Sequence, residues 1–236
     1  NEAALIAARK DKKIIEKQDF LDAVDRIIGG LEKKNKIITP KEKRTIAYHE
    51  AGHASVSWLL EHANPLVKVT IVPRGQALGA ALYLPEERQI TTKAQLLDQM
   101  ISLLGGRAAE EIVFGEVSTG ALNDLERVTK QAYAMVVYYG LDKEIGNISF
   151  YDSSGQSEYG FQKLFSDKTA EKIDAQIRSM VEEAYNRAKT ILIENREKLD
   201  ALATILVERE VIFREDVENI YGKRPWDEEK TDEQQA

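Results

Sequence analysis

Apolar residues recur with helical spacing along most of this chain, and they follow a strand-like pattern over one short region. The helical spacing covers residues 1–30, about 40–63, 93–114, 118–140 and 169–221. Two short runs, "LVKVTIV" and "GAALYL", flank the turn "PRGQAL" and are typical of strands. The pattern therefore predicts a mainly α fold with a small β-sheet.

The helix that begins near residue 40 has a strong start signal. Thr39 and Glu42 have the spacing of a capping box, and Pro40 occupies the first helical position. Asn64-Pro65 is expected to end this helix near residue 63.

The next two helices are delimited in a similar way. Thr92 and Gln95 form a second capping box before the helix 93–114, which we expect to be interrupted or bent near Gly105-Gly106. Gly140 is predicted to end the helix over 118–140.

Changes in composition suggest four segments. Two short helices in residues 1–30 precede a charged linker at 31–39, and the main domain covers 40–222. Residues 141–165 are expected to be irregular, and the acidic stretch 223–236 to be a disordered tail.

Composition excludes several classes of protein. The 236 residues carry 33 basic and 40 acidic side chains, and this net charge of −7 argues against nucleic acid as a partner. The chain has no cysteine, so a metal site would need imidazole and carboxylate ligands. No apolar run is long enough to span a bilayer.

All three histidines lie in one apolar helix, in "TIAYHEAGHASVSWLLEHANP". His49 and His53 are four residues apart, so on a helix their rings lie about 40° from each other on one face and can bind the same ion. Glu50 lies beside that face, where a general base would contact water without binding the metal. His62 falls on the opposite side and is given no role.

This HExxH pattern predicts a zinc site of the metalloprotease type rather than two histidines paired in the core. A catalytic zinc takes three protein ligands and leaves one position open. Because no thiol or further suitable histidine is present, the third ligand must be a carboxylate.

Periodicity leaves two candidates for this carboxylate. Asp124 lies within the apolar stripe of helix 118–140, although a salt bridge to Arg127 or a favourable position in the first helical turn would also explain it. Glu111 lies in the stripe of helix 93–114, whereas Glu110 does not. One of the pair could bind the metal while the other orients an imidazole.

Four motifs in order, "AYHEAGHA", "PRGQALG", "LLGGRAAEEIVFG" and "STGALNDLERVT", resemble the peptidase domain of the FtsH family over residues 40–222. These are membrane-anchored, ATP-dependent zinc metalloproteases. The resemblance implies one zinc ion per chain bound by His49, His53 and Asp124, with Glu50 as the base. It leaves Glu111 as the candidate that orients an imidazole.

The resemblance also implies a larger assembly. Residues 1–30 resemble the last two helices of the ATPase module that precedes this peptidase. The chain contains no P-loop motif, so ATP would bind only in the missing part of that module. Because the chain begins with Asn1, we expect a soluble piece of a larger membrane protein whose transmembrane segments are absent.

The expected partners follow from the same resemblance. The substrates would be unfolded polypeptides and the assembly a homo-hexamer, at a bacterial inner membrane with this domain on the cytoplasmic side. The mitochondrial inner membrane is the alternative location. The competing function is a non-catalytic oligomerisation or binding module with a structural metal, which usually has four ligands rich in thiolates.

Overall fold

A computed structural model of the chain describes residues 1–30, 38–75, 77–84, 88–151, 164–224 and 226. Most of the predicted linker, residues 152–163 of the predicted irregular segment and the end of the predicted tail lie outside these residues and remain predictions. The helices are α1 (Glu2–Arg9), α2 (Lys17–Gly29), α3 (Pro40–Trp58), α4 (Lys93–Phe114), α5 (Leu122–Tyr133), α6 (Asp167–Glu194), α7 (Arg196–Arg209) and α8 (Arg214–Tyr221). The strands are β1 (Leu66–Thr70), β2 (Ala80–Tyr83) and β3 (Val211–Phe213). A mainly α fold with a small sheet is therefore confirmed.

Helix α3 is the centre of the fold. The N–H of Glu42 donates to Oγ1 of Thr39 (3.2 Å) and the N–H of Thr39 donates back to the Glu42 carboxylate (2.8 Å), which confirms the capping box. Every residue from 46 to 58 is buried, and the helix packs against α4, α7 and β1. A helix surrounded in this way holds its side chains in fixed positions.

The predicted end of α3 is wrong, because the helix stops at Trp58. The buried guanidinium of Arg224 donates to the carbonyls of Leu60 (2.7 Å) and Ala63 (2.6 Å). These carbonyls are satisfied by a side chain from the far end of the sequence, so the helix need not continue to pair them.

Helix α4 runs without interruption from Lys93 to Phe114, so the predicted interruption near Gly105-Gly106 is wrong. Its capping box at Thr92 is present. A Cβ atom added to Gly52 of α3 would lie 2.4 Å from the carbonyl oxygen of Gly105, so the two backbones touch at this point. The glycines allow the two helices to pack closely.

The sheet is antiparallel in the order β2-β1-β3, with Val69 of β1 opposite Ala81 of β2 and Ile212 of β3. Strand β3 lies in a segment that the sequence predicted to be helical. Glu210 takes a left-handed conformation (φ 62°) that ends α7, and its carbonyl accepts a hydrogen bond from the N–H of Ile71 (2.9 Å). In the described residues β2 is an edge strand.

Helix α5 continues as a π-helical turn over Ala134–Tyr138 and stops before Gly140, which has a positive φ as the sequence predicts. A short 3₁₀ turn, Thr119–Ala121, precedes α5. Within the described residues, no helix combines the length and the apolar character needed to cross a membrane.

Candidate metal centre

The two histidines of α3 meet at their Nε2 atoms, which lie 3.0 Å apart. Both side chains are buried, and so is Glu50 between them. The four-residue spacing on one helix brings the rings together, as the sequence predicts. The rings present their nitrogens toward a cleft next to α4 and α5.

Asp124 reaches the same point from the first turn of α5. Its Oδ2 atom lies 3.4 Å from Nε2 of His49 and 3.4 Å from Nε2 of His53. Asp124 therefore contacts the two imidazoles and does not form the salt bridge to Arg127 that the sequence left open. Of all the histidine, aspartate and glutamate side chains in the described residues, only these three form a cluster that could hold a metal.

The other nitrogen of each ring is held by α4. Nδ1 of His49 lies 2.6 Å from Oε1 of Glu110, and Nδ1 of His53 lies 2.9 Å from the carbonyl oxygen of Ser102. Since a carbonyl and a carboxylate can only accept, both Nδ1 atoms carry hydrogen. In the neutral rings the Nε2 lone pairs therefore face Asp124 and are available to a metal.

The cluster fits a zinc ion. Bonds of 2.0–2.1 Å at tetrahedral angles separate two ligands by about 3.3 Å, and the three ligand atoms are 3.0, 3.4 and 3.4 Å apart. Two neutral imidazoles and one carboxylate are also a known ligand set for hydrolytic zinc. A Cβ atom at Gly106 would lie 2.6 Å from both Nε2 atoms, so a residue without a side chain borders the site.

Most of the chain matches one family of known proteins. Residues 36–220 match the family described as peptidase family M41. The chain belongs to this family.

Curated relatives place the M41 chain among proteins of the FtsH type. It is 64% identical over 226 residues to the ATP-dependent zinc metalloprotease FtsH of Parabacteroides distasonis, covering 96% of this chain and 33% of the relative. It is 55% identical to the FtsH of Rhodothermus marinus over 231 residues, 96% of this chain and 33% of that protein. It is 47% identical to the mouse mitochondrial inner membrane m-AAA protease component AFG3L2 over 234 residues, 99% of this chain and 29% of the relative.

The chain therefore spans about a third of the length of these relatives. The predicted FtsH family and the predicted class of enzyme, a metalloendopeptidase, are confirmed.

One predicted role in the M41 site is wrong. Glu111 does not face an imidazole. Its carboxylate accepts a hydrogen bond from Tyr185 and forms an ion pair with Lys189 (3.3 Å), and both of these residues lie on α6. The neighbouring Glu110 orients His49 instead. Helix α4 is buried against α3 on one side and α6 on another, so an apolar stripe could not tell which carboxylate faces the histidines.

A sequence signal for Glu110 does exist. It lies one helical turn after Gly106, and four-residue spacing puts both on the face that meets α3. Its second oxygen accepts a hydrogen bond of 2.6 Å from the N–H of Ser118, which starts the turn leading to Asp124. Glu110 therefore connects the segment that carries Asp124 to a ring on α3.

The imidazoles and carboxylates of the M41 site strongly shift one another's pKa. Burial alone would lower the pKa of His49, but the carboxylates of Asp124 and Glu110 outweigh burial and raise the pKa to about 10. Burial alone would raise the pKa of Asp124, but the two imidazoles outweigh burial and hold this pKa far below its ordinary value. Three carboxylates around two imidazoles, counting Glu50, give the site the negative charge that a divalent cation requires.

Glu50 is separate from this hydrogen-bonded group. Burial raises the pKa of its carboxyl, and within the described part of the chain no hydrogen bond holds its oxygens. Its Oε1 would lie 2.7 Å from a Cβ added at Gly79, just before β2, so the carboxylate is packed closely against that backbone. It is placed to exchange a proton beside the cluster.

The cluster opens into a cleft of about 1470 Å³, which is larger than a typical pocket for a small ligand. Strand β2 forms one wall through Ala80, Ala81 and Tyr83, and the start of α5 forms another. A cleft with an edge strand along it can accommodate an extended peptide.

Proposed function

We propose that this chain is a zinc-dependent endopeptidase that cleaves unfolded or damaged polypeptides. The observation that carries the proposal is the convergence of His49, His53 and Asp124 beside a buried Glu50 in a peptide-sized cleft. The relatives named as zinc metalloproteases support the choice of metal.

His49, His53 and Asp124 would hold one Zn²⁺ per chain. A zinc ion with three protein ligands makes water nucleophilic near neutral pH and polarises a carbonyl as a Lewis acid. Glu110 and the Ser102 carbonyl keep the two rings in the tautomer that this binding requires.

Glu50 acts as the general base and then the general acid. It accepts a proton from the water that attacks the peptide carbonyl, and it delivers that proton to the amine nitrogen that leaves. Burial raises the pKa of the Glu50 carboxyl, which makes it a stronger base than an exposed glutamate for the first of these steps.

Strand β2 is the proposed docking edge for the substrate. An extended peptide would pair with its backbone as an added strand, which gives affinity with little demand on sequence. Only an unfolded segment can offer its backbone in this way, so tightly folded proteins should resist cleavage by this chain alone.

For the whole protein we propose a membrane-anchored, ATP-dependent protease that works as a homo-hexamer. Helices α1 and α2 would be the end of its ATPase module, which binds ATP. The similarity to bacterial FtsH supports a bacterial inner membrane with this domain in the cytoplasm. The similarity to the mouse mitochondrial relative supports the mitochondrial inner membrane as the alternative.

The test combines metal content with cleavage of casein before and after chelation. Glu50→Gln should keep one zinc per chain and lose at least about 100-fold in kcat/KM, because general base catalysis contributes 10²–10⁴-fold. Glu126→Gln, an exposed change on α5, is the matched control and should leave both unchanged. A Glu50→Gln variant that cleaves normally would remove Glu50 from the role of general base. An unaltered chain that binds zinc but cleaves no casein would instead leave the non-catalytic module as the better explanation.

A further inference from the structure

Two glycines in the middle of a buried helix need an explanation. Gly105 and Gly106 lie in the interior of α4, where glycine is among the poorest helix formers. The close approach of Gly52 accounts for Gly105 but not for Gly106.

Gly106 faces the two imidazoles instead. A Cβ atom there would lie 2.6 Å from Nε2 of His49, 2.6 Å from Nε2 of His53 and 2.7 Å from Cδ2 of His49. Real Cβ atoms do not approach other heavy atoms this closely, so one group would have to move.

The surroundings leave little room for such movement. The backbones of α3 and α4 are in contact at Gly52 and Gly105, so moving α4 away from the rings would break this close packing. The rings are held from behind by Glu110 and by the Ser102 carbonyl. A methyl group at residue 106 would displace the ring edges that carry the Nε2 lone pairs.

We propose that Gly106 is a positioning residue for the metal centre. Its missing side chain keeps both Nε2 atoms accessible to the cation and close to Asp124. The inference rests on the proposed zinc site, and it adds a requirement on a residue that binds neither metal nor substrate.

The experiment compares Gly106→Ala with the unaltered chain. Zinc affinity is measured by competition with a chelating dye, and the melting temperature is measured in chelator. We expect the affinity to fall by at least about 100-fold, the upper end of what the loss of an outer partner of a ligand costs. Zinc bound as tightly as in the unaltered chain would overturn the proposal.

A second background separates the steric claim from zinc binding. In a His49→Ala, His53→Ala chain the added methyl has room, so Gly106→Ala should raise the melting temperature by about 1–4 °C through better helix propensity. With both histidines present, the same change should not raise it. Equal effects in the two backgrounds would overturn the proposal, as would a Gly106→Ala chain that stays unfolded after both histidines are removed.

Gly105→Ala is the matched control in the same helix. Its Cβ would lie 2.7 Å from the Gly52 carbonyl oxygen, so it should lower the melting temperature in both backgrounds. If the unaltered chain bound no zinc, the proposed function would fail, while the comparison of melting temperatures would still decide whether residue 106 must lack a side chain.

Discussion

Glu110 allows a quantitative test of how the site is held together. Its carboxylate is 2% exposed and accepts two short hydrogen bonds, one from His49 Nδ1 (2.6 Å) and one from the Ser118 N–H (2.6 Å). In Glu110→Gln the side chain keeps its shape, but one of its two terminal atoms becomes an NH₂ group. The amide oxygen can accept from only one of the two donors, His49 Nδ1 or the Ser118 N–H. The remaining donor then faces the NH₂ group, which cannot accept a hydrogen bond.

The free-energy cost of Glu110→Gln follows from the one donor that loses its acceptor. A hydrogen bond to a charged group contributes about 1.5–3 kcal/mol, and a buried donor left without an acceptor costs a similar amount. If that loss falls on the orientation of His49, zinc affinity should drop by about 10–100-fold, which matches the usual effect of removing an outer partner of a ligand.

The assay is zinc affinity at fixed pH by dye competition, together with kcat/KM on an unfolded substrate at saturating zinc. Glu111→Gln is the adjacent control: its carboxylate contacts Tyr185 and Lys189, so it should change stability without changing zinc affinity. The reasoning is refuted if the two variants lower zinc affinity equally, or if Glu110→Gln leaves it unchanged.

Three further predictions concern Glu50 and the protonation of the site. Gly79→Ala should keep zinc but lower kcat/KM by about 100-fold, because its Cβ would lie 2.7 Å from Glu50 Oε1 and misplace the base; unchanged kcat/KM would contradict this. With a pKa of about 10, His49 is charged at neutral pH without metal, so zinc binding should release about one proton, measured by calorimetry in buffers of different ionisation enthalpy. Because the pKa of His49 is higher in the folded chain than in the unfolded chain, protonated His49 stabilises the metal-free fold. This stabilisation is complete below about pH 6.5 and is lost as the pH rises toward 10, so the melting temperature in chelator should fall over that range.

Local rules were sufficient for the features that one helix determines. The capping box at Thr39 and the four-residue spacing of His49 and His53 depend only on helical geometry, and both occur as predicted. The choice between Asp124 and Glu111 depends on how α4 and α5 pack, and periodicity left it open.

Features that depend on distant partners were mispredicted. Helix α3 ends early because Arg224, from the other end of the chain, pairs with its following carbonyls. Strand β3 exists because Glu210 takes a left-handed conformation that no glycine or asparagine signalled. Glu110 was missed because α4 is buried on more than one face, so its apolar stripe does not point only to the histidines.

The parts of the metal centre differ in how firmly the fold holds them. His49 and His53 belong to a buried helix whose backbone touches α4, so their positions are set by core packing. Asp124 follows the segment 115–121, most of which is exposed, and the Ser118–Glu110 hydrogen bond ties this segment to α4. Loss of that bond should therefore release the carboxylate before the imidazoles, so the third ligand is the one whose position depends most on a single contact.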